Sequence, residues 1–298
     1  MPTSTPTDPR TEFPTPPFPT QQQEPPGREA DLTPRADHGE ETYRGAARLT
    51  GRVALITGAD SGIGKAVAIA YAREGADVLI SYLGGMEEED AADTAHHVEA
   101  AGRCAVLVAG DIQDEGLCGA LVERALGELG RLDILVNNAA WQESGDRIEE
   151  VTAEQWRRIF RTNVEAMFHL TKAALPHMER GGAIINTSSI QAYSPSPELL
   201  PYATTKGAIV TFTKALAQDP GVLERGVRVN AVAPGPIWTP LIPSTMPAEK
   251  AAKFGENTPL GRAGQPAELA PIYVFLAVSE STYITGEVIG VTGGRPLG

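Results

Sequence analysis

The chain has 298 residues, a net charge of −13 and a sequence pI near 4.9, which leaves no basic stripe for nucleic acid or an anionic membrane surface. Its hydrophobic share of 42% is that of an ordinary globular chain, and no apolar run reaches the roughly 18 residues of a membrane span. Cys104 and Cys118 lack C-x-x-C spacing, so neither a disulfide framework nor a metal site is expected; with no signal segment at the start, the expectation is a cytoplasmic protein.

Residues 1–45 hold 10 of the 24 prolines and the run Gln21-Gln22-Gln23, without apolar periodicity. They predict a disordered or extended arm, not a domain, with Phe13, Phe18 and Tyr43 as anchors should it lie on its own or a neighbouring subunit. Residues 46–298 are expected to form one catalytic domain. Short apolar runs predict strands at 53–56, 78–81, 104–109, 134–136, 183–187, 227–232 and 288–291. Helical patterns fall between them at 65–74, 87–101, 115–129, 153–178, 202–218 and 267–277. Strands apolar throughout, alternating with helices, predict an α/β fold: a single doubly wound, Rossmann-like parallel sheet with helices on both faces. The stretch 234–264, rich in Pro and Gly, predicts a mobile excursion or lid.

Two motifs carry chemistry. Gly58, Gly62 and Gly64 form G-x-x-x-G-x-G between the first strand and first helix. Glycines permit a tight turn and close approach of backbone to a pyrophosphate, and the helix start offers free N–H groups. No Lys-Ser/Thr ending follows, which disfavours a nucleoside-triphosphate loop. Further on, Tyr202 and Lys206 stand four apart, one turn apart on one helix face. Lowering a phenol from near 10 by roughly three units takes about 4 kcal/mol, within reach of one close ammonium at intermediate dielectric. Such a pair can be a proton-transfer device; taken alone, the reading of two unrelated residues on an amphipathic helix outweighs it.

In chain order stand Thr57-Gly58-x-x-x-Gly62-x-Gly64, Gly110-Asp111-Ile112, Asn137-Asn138-Ala139-Ala140, Asn163, Ser189, Tyr202-x-x-x-Lys206 and Pro234-Gly235. This set, with Ser189 thirteen residues before Tyr202, resembles the short-chain dehydrogenase/reductase superfamily over about Leu49 to Gly294. The arm, the stretch Ser188–Tyr193 and the stretch Gly235–Pro243 resemble its bacterial general-stress or glucose/ribitol-dehydrogenase-like subgroup.

The resemblance implies an NAD(P)-dependent oxidoreductase moving a hydride between cofactor and an alcohol or carbonyl carbon. Tyr202 is then the general acid-base, Lys206 its neighbour cation and a holder of ribose hydroxyls, Ser189 the positioner of the substrate oxygen, and Asn163 a helix interruption holding a relay water. Gly58, Ser61, Gly62, Ile63, Gly64, Tyr82, Asp111, Ile112, Asn138, Ala139, Ala140, Pro234, Gly235, Ile237 and Thr239 are implied to hold the dinucleotide with Tyr202 and Lys206. Asp111 is implied to accept from the adenine amino group. Ala140 departs from the usual Gly of that motif.

Tyr82 stands where NAD-preferring members carry Asp. Lys65 is expected to face into its helix, and Glu87, Glu88, Glu89 and Asp90 follow closely. Four carboxylates near a 2′-phosphate favour NAD over NADP, unless they only complement a helix N-terminus. The substrate pocket is expected from Ser189, Trp141, Gln142, Gln191, Tyr193, Pro195, Leu199 and a lid over 237–246. Trp141 and Trp238 either stack on a sugar face or pack the lid. The half-polar mixture suits a sugar, polyol or small hydroxy-ketone. A homotetramer or dimer is implied by the resemblance alone. The alternative is a nucleotide-sensing or stress-related interaction protein on the same scaffold.

Overall fold

Strands buried on both faces need apolar residues throughout, and the runs of this sequence form such a sheet in the computed structural model, which describes residues 7–145 and 147–298. Its strands are β1 (Val53–Thr57), β2 (Asp77–Tyr82), β3 (Ala105–Ala109), β4 (Ile134–Asn137), β5 (Ala183–Thr187), β6 (Arg228–Pro234) and β7 (Val288–Val291). All pairings are parallel, in the order β3-β2-β1-β4-β5-β6-β7. In the middle, Ile56 pairs with Ile80 on one side and Val136 on the other.

The helices are α1 (Gly62–Arg73), α2 (Glu88–Ala100), α3 (Glu115–Leu129), α4 (Ala153–Phe160), α5 (Ala166–Ala174), α6 (Leu200–Leu216), α7 (Pro220–Arg225), α8 (Leu241–Thr245), α9 (Ala248–Ala251) and α10 (Pro266–Ala277). Alanine-rich α1 packs with α2 and α10 over one sheet face, and α3, α5 and the end of α6 cover the other. The strand order reverses between β1 and β4, with β2 and β3 laid to one side and β4 to β7 to the other, which opens a crevice at the carboxyl ends of these strands.

Three local features refine the sequence expectation. The helix expected over 153–178 ends in a 3₁₀ turn at Leu175–His177, and the interruption that the resemblance implied at Asn163 takes the form of a π turn at Arg161–Glu165. Asn163, buried in that π turn, bonds outward to the loop after β4, which gives the widened turn partners. The short α7 was not expected, although its signals are local: Asp219 caps Gly221 and Val222, Pro220 opens the helix, and Gly226 ends it at φ 66°. The excursion 234–264 holds α8 and α9, closed at its base by a parallel bridge between Ile237 and Gly264.

Residues 7–45 run extended over this excursion and the start of α1, with one 3₁₀ turn at Glu29–Asp31. Phe18 and Leu32 join Trp238, Ile242, Ala251 and Ala263 in one small apolar cluster. Phe13 lies under the Arg262 guanidinium, and the Tyr43 hydroxyl donates to Glu74. Cys104 is exposed just before β3 and Cys118 is buried in α3; both are free. Among the described residues no helix is long and apolar enough to cross a membrane.

Candidate active site

The glycine turn leaves β1 and enters α1 at the floor of the crevice. Gly58 and Gly62 take φ of +61° and +51°, a region that side chains strain to adopt. A Cβ on Gly64 would stand 1.9 Å from the Gly58 carbonyl oxygen, so the helix start packs on the turn with no room for alanine. Asn138 braces the same turn from β4: its side-chain amide donates to the carbonyls of Thr57 (3.0 Å) and Gly58 (3.1 Å). Thr57, which sequence reasoning did not assign, accepts the backbone amides of Asn138 and Ala139 on its hydroxyl, both at 3.0 Å. Gly62 N–H is not free. It donates to the Glu29 carboxylate of the arm at 2.6 Å.

One end of the crevice is acidic. Asp60, Ser61, Ser81, Tyr82, Leu83 and Glu87 line it, with Asp111 and Ile112 beside them. Burial, with Glu87 nearby, pushes the Asp60 carboxyl up to about 8, and burial raises Glu87 as well. The Tyr82 hydroxyl donates to Glu88 (2.7 Å), and Leu83 N–H donates to Glu87 (2.7 Å). Asp111 accepts the Gln113 amide at 3.0 Å. Lys65 is buried and turns to Asp93 of α2 at 2.6 Å. The cations in the crevice wall are Arg158, Lys206 and Lys250; Arg158 lies 3.6 Å over the Trp141 ring and Lys250 pairs with Glu198.

The other end brings Ser189, Tyr202 and Lys206 together. Ser189 leaves β5 and accepts the Gln191 amide (3.1 Å), which caps a 3₁₀ turn. Burial pushes the Tyr202 phenol up to about 12, opposed by a hydrogen bond to Ser189. Lys206 is buried, with Nζ 2.8 Å from the Thr187 carbonyl and 5.2 Å from the centre of the Tyr202 ring; burial pulls it down to about 7. Lys206 is therefore not what sets the phenol in the protein alone. Both groups are shifted toward neutrality by loss of water. Ser188 was also missed: its hydroxyl donates to the Lys206 carbonyl (3.0 Å) and pins α6 to the sheet.

Asn163 stands one layer behind. Its Oδ1 accepts Trp141 N–H at 2.7 Å, and its Nδ2 donates to the Trp141 carbonyl (2.9 Å) and the Thr205 hydroxyl (3.0 Å). It thus links α4–α5, the loop carrying Trp141 and the helix carrying Tyr202.

Of the expected substrate residues, Trp141, Gln142, Gln191 and Leu199 line the crevice, and Tyr193 and Pro195 do not. Trp238 is corrected: it is fully buried, 4.5 Å from Phe18 ring to ring, with its indole N–H donating to the Pro34 carbonyl (2.8 Å). The arm covers it, so it packs the lid and meets no substrate. Ile63, Ala139, Ala140, Pro234, Gly235, Ile237 and Thr239 all line the crevice, and so does Pro26 of the arm. No group of three or more metal-ligating side chains occurs among the described residues.

A model of the enoyl-(acyl carrier protein) reductase family matches residues 58–295. The chain is 53% identical to the uncharacterized oxidoreductase YghA of Escherichia coli over 98% of both chains. It is 51% identical to general stress protein 39 of Bacillus subtilis (91% of this chain, 93% of that one). With glucose and ribitol dehydrogenase of Daucus carota it shares 43% identity (93% and 96%). Among solved structures, a short-chain dehydrogenase from Burkholderia cenocepacia in complex with NADP superposes with TM-score 0.76 at 32% identity, covering 83% of this chain and 98% of that one. A 3-ketoacyl-(acyl-carrier-protein) reductase from Brucella melitensis complexed with NADH gives 0.73 at 36%, covering 83% and 99%. With the glycine turn, Ser189, Tyr202 and Lys206 arranged around one crevice and Asn163 behind it, the chain belongs to the short-chain dehydrogenase/reductase superfamily of oxidoreductases, in its general-stress and glucose/ribitol-dehydrogenase-like subgroup.

Proposed function

We propose that this oxidoreductase interconverts a small polar alcohol and its carbonyl with a nicotinamide dinucleotide, using Tyr202 as the proton-transferring group. The observation that carries this is that Ser189, Tyr202 and Lys206 line the same crevice as Gly58 and Gly62, which present backbone without side chains. The crevice suits such a cofactor. Gly58 and Gly62 leave backbone bare at the helix start, Asn138 to Ala140 and Pro234 to Ile237 with Thr239 line the crevice around them, and Lys206 lines it too, where it can serve ribose hydroxyls. When bound, the nicotinamide supplies or takes up the hydride and, oxidised, brings a positive charge beside the phenol.

In the reducing direction the phenol, protonated at neutral pH, gives its proton to the carbonyl oxygen, which Ser189 holds by a hydrogen bond. In the oxidising direction the phenolate is the required form, and any cation brought close lowers its cost. Asn163 fixes Trp141 and Thr205 and so holds the pocket loop against α6.

We propose NAD as the preferred dinucleotide. Asp60 and Glu87 line the acidic end with no lysine or arginine among the residues beside them, which suits ribose hydroxyls better than a 2′-phosphate. Gln142, Gln191, Ser189 and Trp141 support a sugar, polyol or small hydroxy-ketone as substrate, in keeping with the name of the carrot relative. The catalytic unit is read as residues 46–298 with residues 1–45 as an arm. Half-exposed Trp156 and Phe168 on α4 and α5 support assembly as a homotetramer or dimer, and the two free thiols support a cytoplasmic site. The test follows absorbance at 340 nm with NADH and NADPH against sugars, polyols and diketones. Turnover with NADH and a polar carbonyl is the expected result; no turnover with any pair overturns the reading.

A further inference from the structure

The arm reaches the glycine turn from behind. Glu29 is buried and absent from the crevice wall, yet its Oε1 accepts Gly62 N–H at 2.6 Å and meets His38 Nε2 at 2.8 Å. His38, also buried, meets Glu40 through Nδ1 at 2.9 Å. Glu29 N–H in turn donates to Asp90 of α2 at 2.9 Å. One residue thereby joins the arm, the glycine turn through its carboxylate and α2 through its backbone N–H. Burial opposes its ionisation, but the His38 imidazolium overrides that and holds the carboxyl below its ordinary range.

The same arm also holds the lid. Gln23 N–H and the Gln22 side chain donate to the Pro243 carbonyl (3.0 and 2.6 Å), and the Ser244 hydroxyl donates to the Pro26 carbonyl (3.1 Å). At Gly27, φ +88°, a Cβ would stand 2.7 Å from the Pro240 carbonyl oxygen, so the crossing requires glycine. The alignment with the Escherichia coli relative covers 98% of this chain and leaves no room to omit more than a few residues of the arm.

We propose that Glu29 is a positioning residue of the dinucleotide site, fixing the glycine turn by its hydrogen bond to Gly62 so that the amides facing the crevice are set before a cofactor arrives. This rests on the reading of the crevice as a dinucleotide site. It gives the arm a function in catalysis that its composition does not suggest. It also separates two effects of opposite sign. The negative charge of Glu29 repels a diphosphate, whereas its acceptor oxygen orders the turn that grips one.

The full-length wild type is compared with Glu29→Ala, Glu29→Gln and Glu29→Asp. NADH and NADPH binding are read directly by cofactor fluorescence, Gly62 amide exchange without cofactor, and kcat and KM for the preferred cofactor. Glutamine keeps an acceptor at full reach and drops the charge; aspartate keeps the charge on a stem too short to reach Gly62. Expected are about tenfold weaker binding and higher KM in the alanine and aspartate variants with kcat within about twofold, faster Gly62 exchange in both, and near wild-type values for glutamine. If alanine fails to fold, the aspartate–glutamine contrast carries the test alone. Equal affinities in aspartate, glutamine and wild type overturn the positioning role, as does tighter binding in every variant that lacks the charge. If wild type binds neither NADH nor NADPH, the dinucleotide reading itself falls, and this proposal with it.

Discussion

The Tyr202 end of the crevice and the network behind its glycine turn treat buried charge differently. At the Tyr202 end, burial pulls Lys206 down to about 7 and lifts Tyr202 to about 12, and among the described residues no carboxylate stands against either as the cause of a shift. Behind the glycine turn, out of the crevice wall that Asp60 and Glu87 line, charges close on one another: His38 lies between Glu29 and Glu40, and Lys65 meets Asp93. A group without a resident counter-charge responds to whatever enters beside it; a group locked in a network does not. On the proposed reading, the proton-transferring pair stands where the electrostatics are left open, and the network that braces the glycine turn is self-contained.

Breaking the open end has the largest expected effect. Tyr202→Phe removes the transferable proton and keeps the ring, so kcat should fall by about 10²–10⁴-fold with dinucleotide affinity nearly unchanged; stopped-flow turnover and cofactor fluorescence check both halves. Ordinary turnover in that variant would take Tyr202 out of the chemistry. Next comes Asn163→Ala, which strands the Trp141 backbone groups and takes a donor from the Thr205 hydroxyl. A loss of about 2–3 kcal/mol in urea unfolding is expected, and a loss below about 0.5 would mean water replaces the amide.

Leu83→Arg sharpens the comparison at the other end. Leu83 lines the crevice and is largely exposed, so the change puts a cation there at little structural cost. It should raise the NADPH-to-NADH ratio of kcat/KM by about tenfold, the effect of one partly screened charge. An unchanged ratio places the ribose elsewhere.

The smallest effect is on pH dependence. Burial lowers His38, but Glu29 and Glu40 raise it from 6.5 to about 9. A raised folded value means its stabilisation is complete below about pH 6.5 and is lost as pH rises through 9. Glu40, lowered from 4.5 to about 2 by His38 against burial, stabilises above pH 4.5 and loses this as pH falls toward 2. Melting curves should show wild type losing a few degrees between pH 6 and 9.5 that His38→Gln does not lose. Parallel curves would mean His38 keeps its charge state across that range.

What the sequence made legible was local. The strand from 183 to 187 and the helix from 115 to 129 keep their expected bounds, because apolar runs and caps announce them within a few residues. Tyr202 and Lys206 were readable because four residues make one helical turn. Contacts between distant parts of the chain were not. Asn163 finds its partners 22 and 42 residues away, Glu29 meets Gly62 across 33, and no periodicity records such distances. Trp238 looked like a pocket residue because the arm that covers it carries no apolar pattern, only Phe18 and Leu32 at the needed places. The mutual placing of Asp60 and Glu87 was equally silent, since a charge run after β2 serves a helix start just as well.

The three tryptophans occupy three different settings. Trp238 is sealed, with its indole N–H on Pro34; Trp141 faces the crevice beneath the Arg158 guanidinium; Trp156 stacks on Phe160 at the surface. Their emission should accordingly separate into a blue, quencher-resistant component, one sensitive to anything that displaces the guanidinium, and one open to iodide or acrylamide. The protein therefore carries its own optical gauge, in which loosening of the proline-rich segment and filling of the pocket register at different wavelengths without a label.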